Sequence, residues 1–298
     1  MAKTGQQTDP GAAGRLSVVA TPIGNLGDIT QRAREVLAGC DLIAAEDTRH
    51  TKNLLRHLGV NKPLLSLHEH NEQARVEQLL RRLREGAHVA LVSDAGTPAV
   101  SDPGFRLVRA CAIEGIVVEP LPGACAAITA LCAAGLPTDR FCFEGFLPAA
   151  AGARRARLAS LEREPRTLVF YESPHRIADA LADCAQVLGG SREAVVAREL
   201  TKQFETFHRG SLGELAARAL DDADFERGEI VLLIAGAPAP TGEAVLAELD
   251  RVLGVLLPAL PLKQAAALAA QLTGCRDNQA YRRALELKEG APAPAPMD

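Results

Sequence analysis

Three short, mostly apolar runs in the first half of the chain each end in a turn of glycine, proline and small residues. Residues 16–20 lead into T-P-I-G-N-L-G-D (21–28). Residues 88–92 lead into S-D-A-G-T-P-A-V-S-D-P-G (93–104), and 116–119 into P-L-P-G-A-C-A-A (120–127). Runs of this length bounded by such breakers read as strands. Helical spacing follows each turn, over 30–38, 105–113 and from Gly123 onward. Strand, turn and helix repeated in that order predict an α/β fold with a parallel sheet. In open α/β sheets, ligands sit at the carboxyl ends of strands, where these turns lie.

The turns differ in what they offer a ligand. The 93–104 turn holds two glycines, two prolines and two aspartates and exceeds an ordinary strand-to-helix connection. Its glycines let backbone approach a bound molecule, and its N–H groups and Asp94 can fix polar parts of one. Gly24 and Gly27 do not make G-x-G-x-x-G, so the dinucleotide fingerprint is missing. Gly123, Ala124, Ala126 and Ala127 start a helix with almost no side-chain bulk, which suits a ligand lying on backbone amides. Close helix–sheet packing accounts for the same alanines. Three such turns in one α/β unit point to a shared crevice.

The strand at 41–45 ends in E-D-T-R-H-T (46–51), which reads either as a solvated helix start or as the rim of an active site. After a strand at 64–67, H-E-H-N (68–71) places His68 and His70 on one face around Glu69. No third ligand group follows, so no metal is expected. A helix covers 72–85. Residues 147–153 read as a linker between an α/β domain over 15–147 and a second one over 153–237. The second opens with a basic helix carrying Arg154, Arg155 and Arg157. It continues with strands at 167–171, 194–197 and 230–235, a helix ending at 188, and some antiparallel pairing. A helical extension follows over 239–289, with helices at 241–257, 262–272 and 278–288. Its 263–288 stretch holds Lys263, Arg276, Arg282, Arg283 and Lys288 against Asp277 and Glu286. That pattern suits a helix-turn-helix-like contact with RNA or phosphate, or a solvated helical cap. Residues 1–14 and 290–298 are expected to be disordered tails.

The net charge of −4 over 298 residues excludes a global basic field for nucleic acid, so any RNA contact must be local. Seven cysteines, an odd number without a C-x-x-C pair, suit a reducing cytoplasm rather than a disulfide scaffold. No apolar leader and no membrane-length run are found, so a cytoplasmic protein without a membrane partner is expected.

Six segments carry a resemblance: T-P-I-G-N-L-G-D, E-D-T-R-H-T, S-D-A-G-T-P-A-V-S-D-P-G, L-P-G-A-C-A-A-I-T-A-L, F-Y-E-S-P-H-R and A-R-E-L-T-K-Q-F-E-T. By these segments, which lie within 15–236, the chain resembles the tetrapyrrole-methylase-like family of S-adenosyl-L-methionine (SAM) enzymes, in its RNA-methylating branch. The resemblance implies two α/β domains of the tetrapyrrole methylase type with SAM in the interdomain cleft. It implies 2′-O-methylation of a decoding-centre cytidine in 16S rRNA of the small ribosomal subunit, by a homodimer. Carried over by position, the cofactor contacts are Leu26, Asp94, Ala95, Gly96, Thr97, Ala126, Ala127, Tyr171, Gly228 and Glu229. Tetrapyrrole-modifying relatives carry G-x-G-P-G-D in the first loop. Here Pro22 precedes Gly24 and a leucine precedes Gly27, which favours the RNA branch. The alternatives are a tetrapyrrole methyltransferase, told apart by its substrate, and a non-catalytic ribosome-assembly factor, told apart by failure to bind SAM.

The implied chemistry is attack of a ribose oxygen on an activated methyl carbon. Alignment supplies much of the rate, and some group must accept the hydroxyl proton or stabilise the developing alkoxide. Charged residues at strand ends are Asp47, Arg49, Glu172, Arg176, Glu199 and Lys202. Of these, Lys202 or Arg49 is expected to polarise the oxygen, with Asp47 or Glu199 taking or orienting the proton.

Overall fold

A computed structural model describes residues 14–289 except Glu69 and Pro240. The chain divides into two units, one up to Ala237 and one from Pro238. The expected tails at 1–13 and 290–298 lie outside the described residues. Gly14, expected in the first tail, is buried, and a side chain there would overlap the Leu83 carbonyl.

The first unit holds two five-stranded sheets. The first comprises β1 (Arg15–Val19), β2 (Leu42–Ala45), β3 (Leu64–Ser66), β4 (His88–Val92) and β5 (Val117–Leu121). All pairings are parallel, in the order β3-β2-β4-β1-β5. Between the strands run α1 (Gln31–Gly39), α2 (Thr48–Leu58), α3 (Glu72–Arg84) and α4 (Phe105–Ile113). Leu16, Leu79, Leu83, Val89, Leu91 and Leu107 form one core. Val19, Leu37, Ile43, Leu55, Ala90 and Val92 form another. Alternate residues of β4 enter the two cores, so all five are buried. Burial on both faces is why these strands read as apolar runs rather than alternating ones.

The strand order sets the site. β1 connects across to β2 on one side, and β4 connects across to β5 on the other, while β1 and β4 are neighbours. At such a switch point the two outgoing loops diverge and leave a crevice. Here they are also tied together. Thr21 N–H donates to Gly96 O at 2.8 Å and Gly96 N–H to Thr21 O at 3.0 Å. The third small-residue turn leaves β5, on the other side of β1, so the three turns arise from adjacent strands.

The second sheet comprises β6 (Phe141–Phe146), β7 (Thr167–Glu172), β8 (Glu193–Arg198), β9 (Thr206–Ser211) and β10 (Ile230–Ile234). Its order is β6-β7-β10-β8-β9, with β6 parallel to β7 and the other pairs antiparallel. The chain therefore changes sheets between α5 (Ala126–Ala134) and β6, upstream of the expected linker at 147–153, which the sequence marks only by its small residues. β9 was not expected. It is a partly polar edge strand, T-F-H-R-G-S, without the apolar run that marked the others. Leu168, Phe170, Val196, Leu232 and Ile234 share a core with residues of α6 (Ala151–Ser160), α7 (Ile177–Leu188) and α8 (Leu212–Asp221). The alternate residues Val169, Val195, Ala197, Val231 and Leu233 pack with Ala127, Ala130, Leu131 and Ala134 of α5. A helix that follows a strand of the first sheet thus packs on the second, and its alanines let it lie close.

The second unit consists of α9 (Gly242–Leu256), α10 (Leu262–Thr273) and α11 (Asp277–Glu289). They close on Leu249, Leu253, Ala266, Ala269, Ala270, Ala280 and Ala284. Gly274, at φ +70°, ends α10 in a left-handed turn. The Arg283 guanidinium donates to both Asp250 oxygens at 2.6 Å. Lys263, Arg276, Arg282 and Lys288 remain exposed. Among the described residues, no helix is long and apolar enough to cross a membrane.

Candidate active site

A cavity of about 360 Å³ opens in the first unit where the loops of both sheets meet. The first sheet contributes Ile23, Ala95–Thr97 and Val100–Asp102 from its loops, with Cys125 and Ala126 at the start of α5. The second contributes Phe146, Tyr171, Glu172, Leu200 and the start of β10 from Gly228 to Val231. β10 runs antiparallel to β7 and β8, so its start lies beside their ends. A second, shallower depression of about 260 Å³ is bordered by Thr21, Pro22, Leu26, His50, Asn53, Leu54 and Asp94. The paired residues Thr21 and Gly96 border one compartment each.

Hydrogen bonds and ring contacts hold the wall. The Thr97 hydroxyl donates to Ala124 O at 3.0 Å, and Ala127 N–H donates to the Tyr171 hydroxyl at 3.3 Å. Phe143 and Phe146 meet the Tyr171 ring edge-on, at centroid distances of 4.9 and 5.7 Å. Asn25 N–H donates to Thr201 Oγ1 at 3.1 Å, joining the first loop to the 199–202 turn. Among the described residues, the four non-glycine residues with positive φ are Ala99, Ser101, Glu199 and Thr201. All four lie in the two segments beside the cavity. Such backbone costs free energy and persists only where its surroundings impose it, a pattern typical of ligand sites.

Of the ten expected cofactor residues, seven border the cavity: Ala95, Gly96, Thr97, Ala126, Tyr171, Gly228 and Glu229. Ala127 stands behind it through its bond to Tyr171. Leu26 and Asp94 border the adjoining depression instead. The four expected catalytic residues fall into two ion pairs. Asp47 caps α2, accepting from Arg49 N–H at 2.7 Å, and the 86 %-exposed Arg49 side chain donates to both Asp47 oxygens. These bonds hold the Asp47 carboxyl far below the usual carboxylate range. Neither residue lines the cavity. Lys202 Nζ lies 2.8 Å from Glu199 and 3.2 Å from Glu229, so that pair touches the site through Glu229. Burial alone would raise the Glu199 carboxyl, but the Lys202 ammonium and Glu229 N–H keep it below its ordinary value.

Sequence reasoning passed over Asp102. It borders the cavity, and burial pushes its carboxyl up to about 6, opposed by a hydrogen bond from Ser93 and reinforced by Glu46 and Asp94. The only signal for it was its place in the long 93–104 turn. Glu172 also borders the cavity, raised by burial and opposed by Ser173 N–H and Arg176. Of H-E-H-N, the His68 ring bonds the Asn71 amide at 2.9 Å, and Glu69 lies outside the described residues.

The lining suits a cationic, partly apolar ligand. Asp102, Glu172 and Glu229 border the cavity, and no lysine, arginine or histidine does among the described residues. Ile23, Val100, Leu200 and Val231 supply an apolar wall, and the aromatic rings of Tyr171 and Phe146 border the cavity too, a residue type whose π-face attracts a cation. SAM, with its sulfonium, ammonium and adenine, matches that chemistry.

The family described as tetrapyrrole (corrin/porphyrin) methylases matches residues 15–216, and an RsmI C-terminal HTH domain matches 243–288. The chain is 56 % identical, over 94 % of its length and 98 % of the relative's, to a ribosomal RNA small subunit methyltransferase I of Escherichia coli O157:H7. It is also 56 % identical to the protein of that name from Pseudomonas aeruginosa, over 92 % of this chain and 98 % of that one. Among solved structures, the methyltransferase CobJ is similar with a TM-score of 0.57 at 21 % identity, covering 75 % of this chain and 95 % of that one. A uroporphyrin-III C-methyltransferase from Thermus thermophilus, complexed with S-adenyl homocysteine, has a TM-score of 0.54 at 19 % identity, covering 74 % and 97 %. At these identities the likeness is one of fold.

Proposed function

We propose a reaction on the premise that this chain belongs to the tetrapyrrole (corrin/porphyrin) methylase family: it transfers the methyl group of SAM to a ribose 2′-hydroxyl of a decoding-centre cytidine in 16S rRNA. The likeness over nearly the whole chain to relatives named for small-subunit rRNA methylation carries this reading. The enzyme works in the bacterial cytoplasm as a homodimer, with the small ribosomal subunit as its partner.

Bound SAM supplies a methyl group already activated by the sulfonium, so the protein's task is alignment. Ala95, Gly96, Thr97, Ala126, Ala127, Tyr171, Gly228 and Glu229 hold the cofactor. The small residues would let it lie on backbone, and Tyr171 and Glu229 would meet its positive charge. Lys202 fixes Glu229 at the rim through its ion pair. The depression bordered by Leu26, His50, Asn53 and Asp94 receives the target nucleotide beside the cofactor.

Small subunits from cells lacking the gene, incubated with the protein and methyl-labelled SAM, should acquire label on one cytidine ribose. Label on a uroporphyrinogen and none on subunits would replace RNA by a tetrapyrrole. No heat with SAM in calorimetry, beside tight subunit binding, would make the chain a non-catalytic factor.

The second unit supplies RNA contacts through Arg276, Arg282, Lys263 and Lys288. Joint Arg276→Glu and Arg282→Glu substitution should weaken subunit binding about tenfold or more and flatten its salt dependence by about two phosphate contacts. SAM affinity should stay unchanged. Unaltered subunit affinity would reduce this unit to a structural cap.

A further inference from the structure

We propose that Asp102 is the group that accepts the proton of the attacking ribose 2′-hydroxyl. The proposal rests on the methyl-transfer reading above and names a residue for one of its steps. As the oxygen–methyl bond forms, the methyl–sulfur bond breaks and its electron pair stays on sulfur, leaving neutral S-adenosylhomocysteine. The hydroxyl proton passes to an Asp102 carboxylate oxygen and is lost to solvent after release.

Three carboxylates border the cavity, and two are already engaged. The Glu172 side chain is fully buried and accepts from Ser173 N–H at 2.7 Å and from Arg176 at 3.3 Å. The Glu229 side chain is 72 % exposed and lies 3.2 Å from the Lys202 ammonium. Asp47 and Glu199 carry their own cations, Arg49 and Lys202. A carboxylate so engaged would have to give up its partner to turn toward a hydroxyl. Asp102 has no ion pair among the described residues.

Its position suits the role. Asp102 borders the cofactor cavity, while Asp94, whose charge helps raise the Asp102 carboxyl, borders the adjoining depression. Asp102 also follows Ser101, held at φ +62°, so the turn that aims it is imposed by its surroundings. The charged and titratable groups that face it are Glu46 from the end of β2, Asp94 from its own loop and Tyr171 from β7. None is cationic. With its carboxyl near 6, Asp102 is ionised at neutral pH yet basic enough to help, as general bases require.

The test is Asp102→Asn, which keeps shape and hydrogen bonding. Calorimetry with S-adenosylhomocysteine should give affinity within about threefold of wild type, while single-turnover methyl transfer to small subunits falls about 100-fold or more. The wild-type rate should fall below about pH 6, as the acceptor protonates, and that acid limb should vanish in Asp102→Asn. Loss of cofactor affinity alongside the rate would make Asp102 a cofactor holder and overturn the proposal. So would a near-normal rate. The competing base is His50, whose Nδ1 lies 3.6 Å from Asp94. If His50→Gln abolishes the acid limb and Asp102→Asn keeps it, the role passes to His50. A wild-type chain that moves no methyl to subunits would sink the reaction itself, an outcome distinct from an active wild type with an unimpaired variant.

Discussion

Arg154→Ala lowers the unfolding free energy by about 3 kcal/mol or more at neutral pH, as expected when one partner of a buried pair is removed. The Arg154 and Asp183 side chains are 5 % and 9 % exposed, and Nε lies 2.6 Å from Oδ2. The half-exposed Arg155 reaches the other oxygen at 3.2 Å, so the carboxylate keeps one partner and loses the better one. Burial by itself would raise the Asp183 carboxyl, but the two guanidinium groups hold it below its ordinary value. A depressed carboxyl contributes stability above its unfolded pKa and loses it as pH falls through the folded one. In Arg154→Ala that depression shrinks. The gap between wild type and variant, read by urea unfolding, should therefore be widest near neutrality and close in acid. Joint Arg154→Met and Asp183→Leu should recover most of the loss, because no charge is left buried. A single variant within about 1 kcal/mol of wild type would show that Arg155 alone neutralises Asp183.

Gly228→Ala should cost about tenfold or more in SAM affinity, with the far-ultraviolet circular dichroism unchanged. Gly228 sits at φ +81°, and a Cβ there would stand 2.5 Å from Glu199 Cγ, Cδ and Oε1. The backbone strain alone costs about 1–2 kcal/mol. The displacement matters more. Glu199 accepts Glu229 N–H at 3.0 Å and pairs with Lys202, so pushing it aside releases both the start of β10 and the rim cation. Gly59 provides the control. It ends α2 at φ +69° with nothing within 4 Å of its would-be Cβ. Gly59→Ala should lower Tm by a few degrees through strain and leave calorimetric SAM affinity alone. Equal affinity losses in the two variants, or none in Gly228→Ala, would separate Glu199 from cofactor binding.

The placement of the site could be read from local pattern. Short apolar runs ending in T-P-I-G, S-D-A-G-T-P and L-P-G-A mark strand ends, and strand–turn–helix repetition makes the sheet parallel, which puts the turns on one edge. The alanines of 126–134 supported two readings, and the structure satisfies both: Ala126 borders the cavity, while Ala127, Ala130 and Ala134 pack on the second sheet. β9 and the crossing into β6 were missed, because an edge strand needs no apolar run and a sheet change leaves no periodicity behind.

The roles of the charges were decided by tertiary structure. Asp47, Asp94 and Asp102 are the same letter in the segments that follow β2 and β4. Folding ties Asp47 to Arg49 and surrounds Asp102 with groups from β2, the 93–104 loop and β7. Arg154, Arg155 and Arg157 look alike on one helix, yet only Arg154 is buried, against an aspartate 29 positions away. Strand, turn and helix propensities act over a few neighbouring residues, so sequence alone sets them. The basicity of a carboxyl depends on desolvation and on charges brought near from distant parts of the chain, and only the folded arrangement determines those.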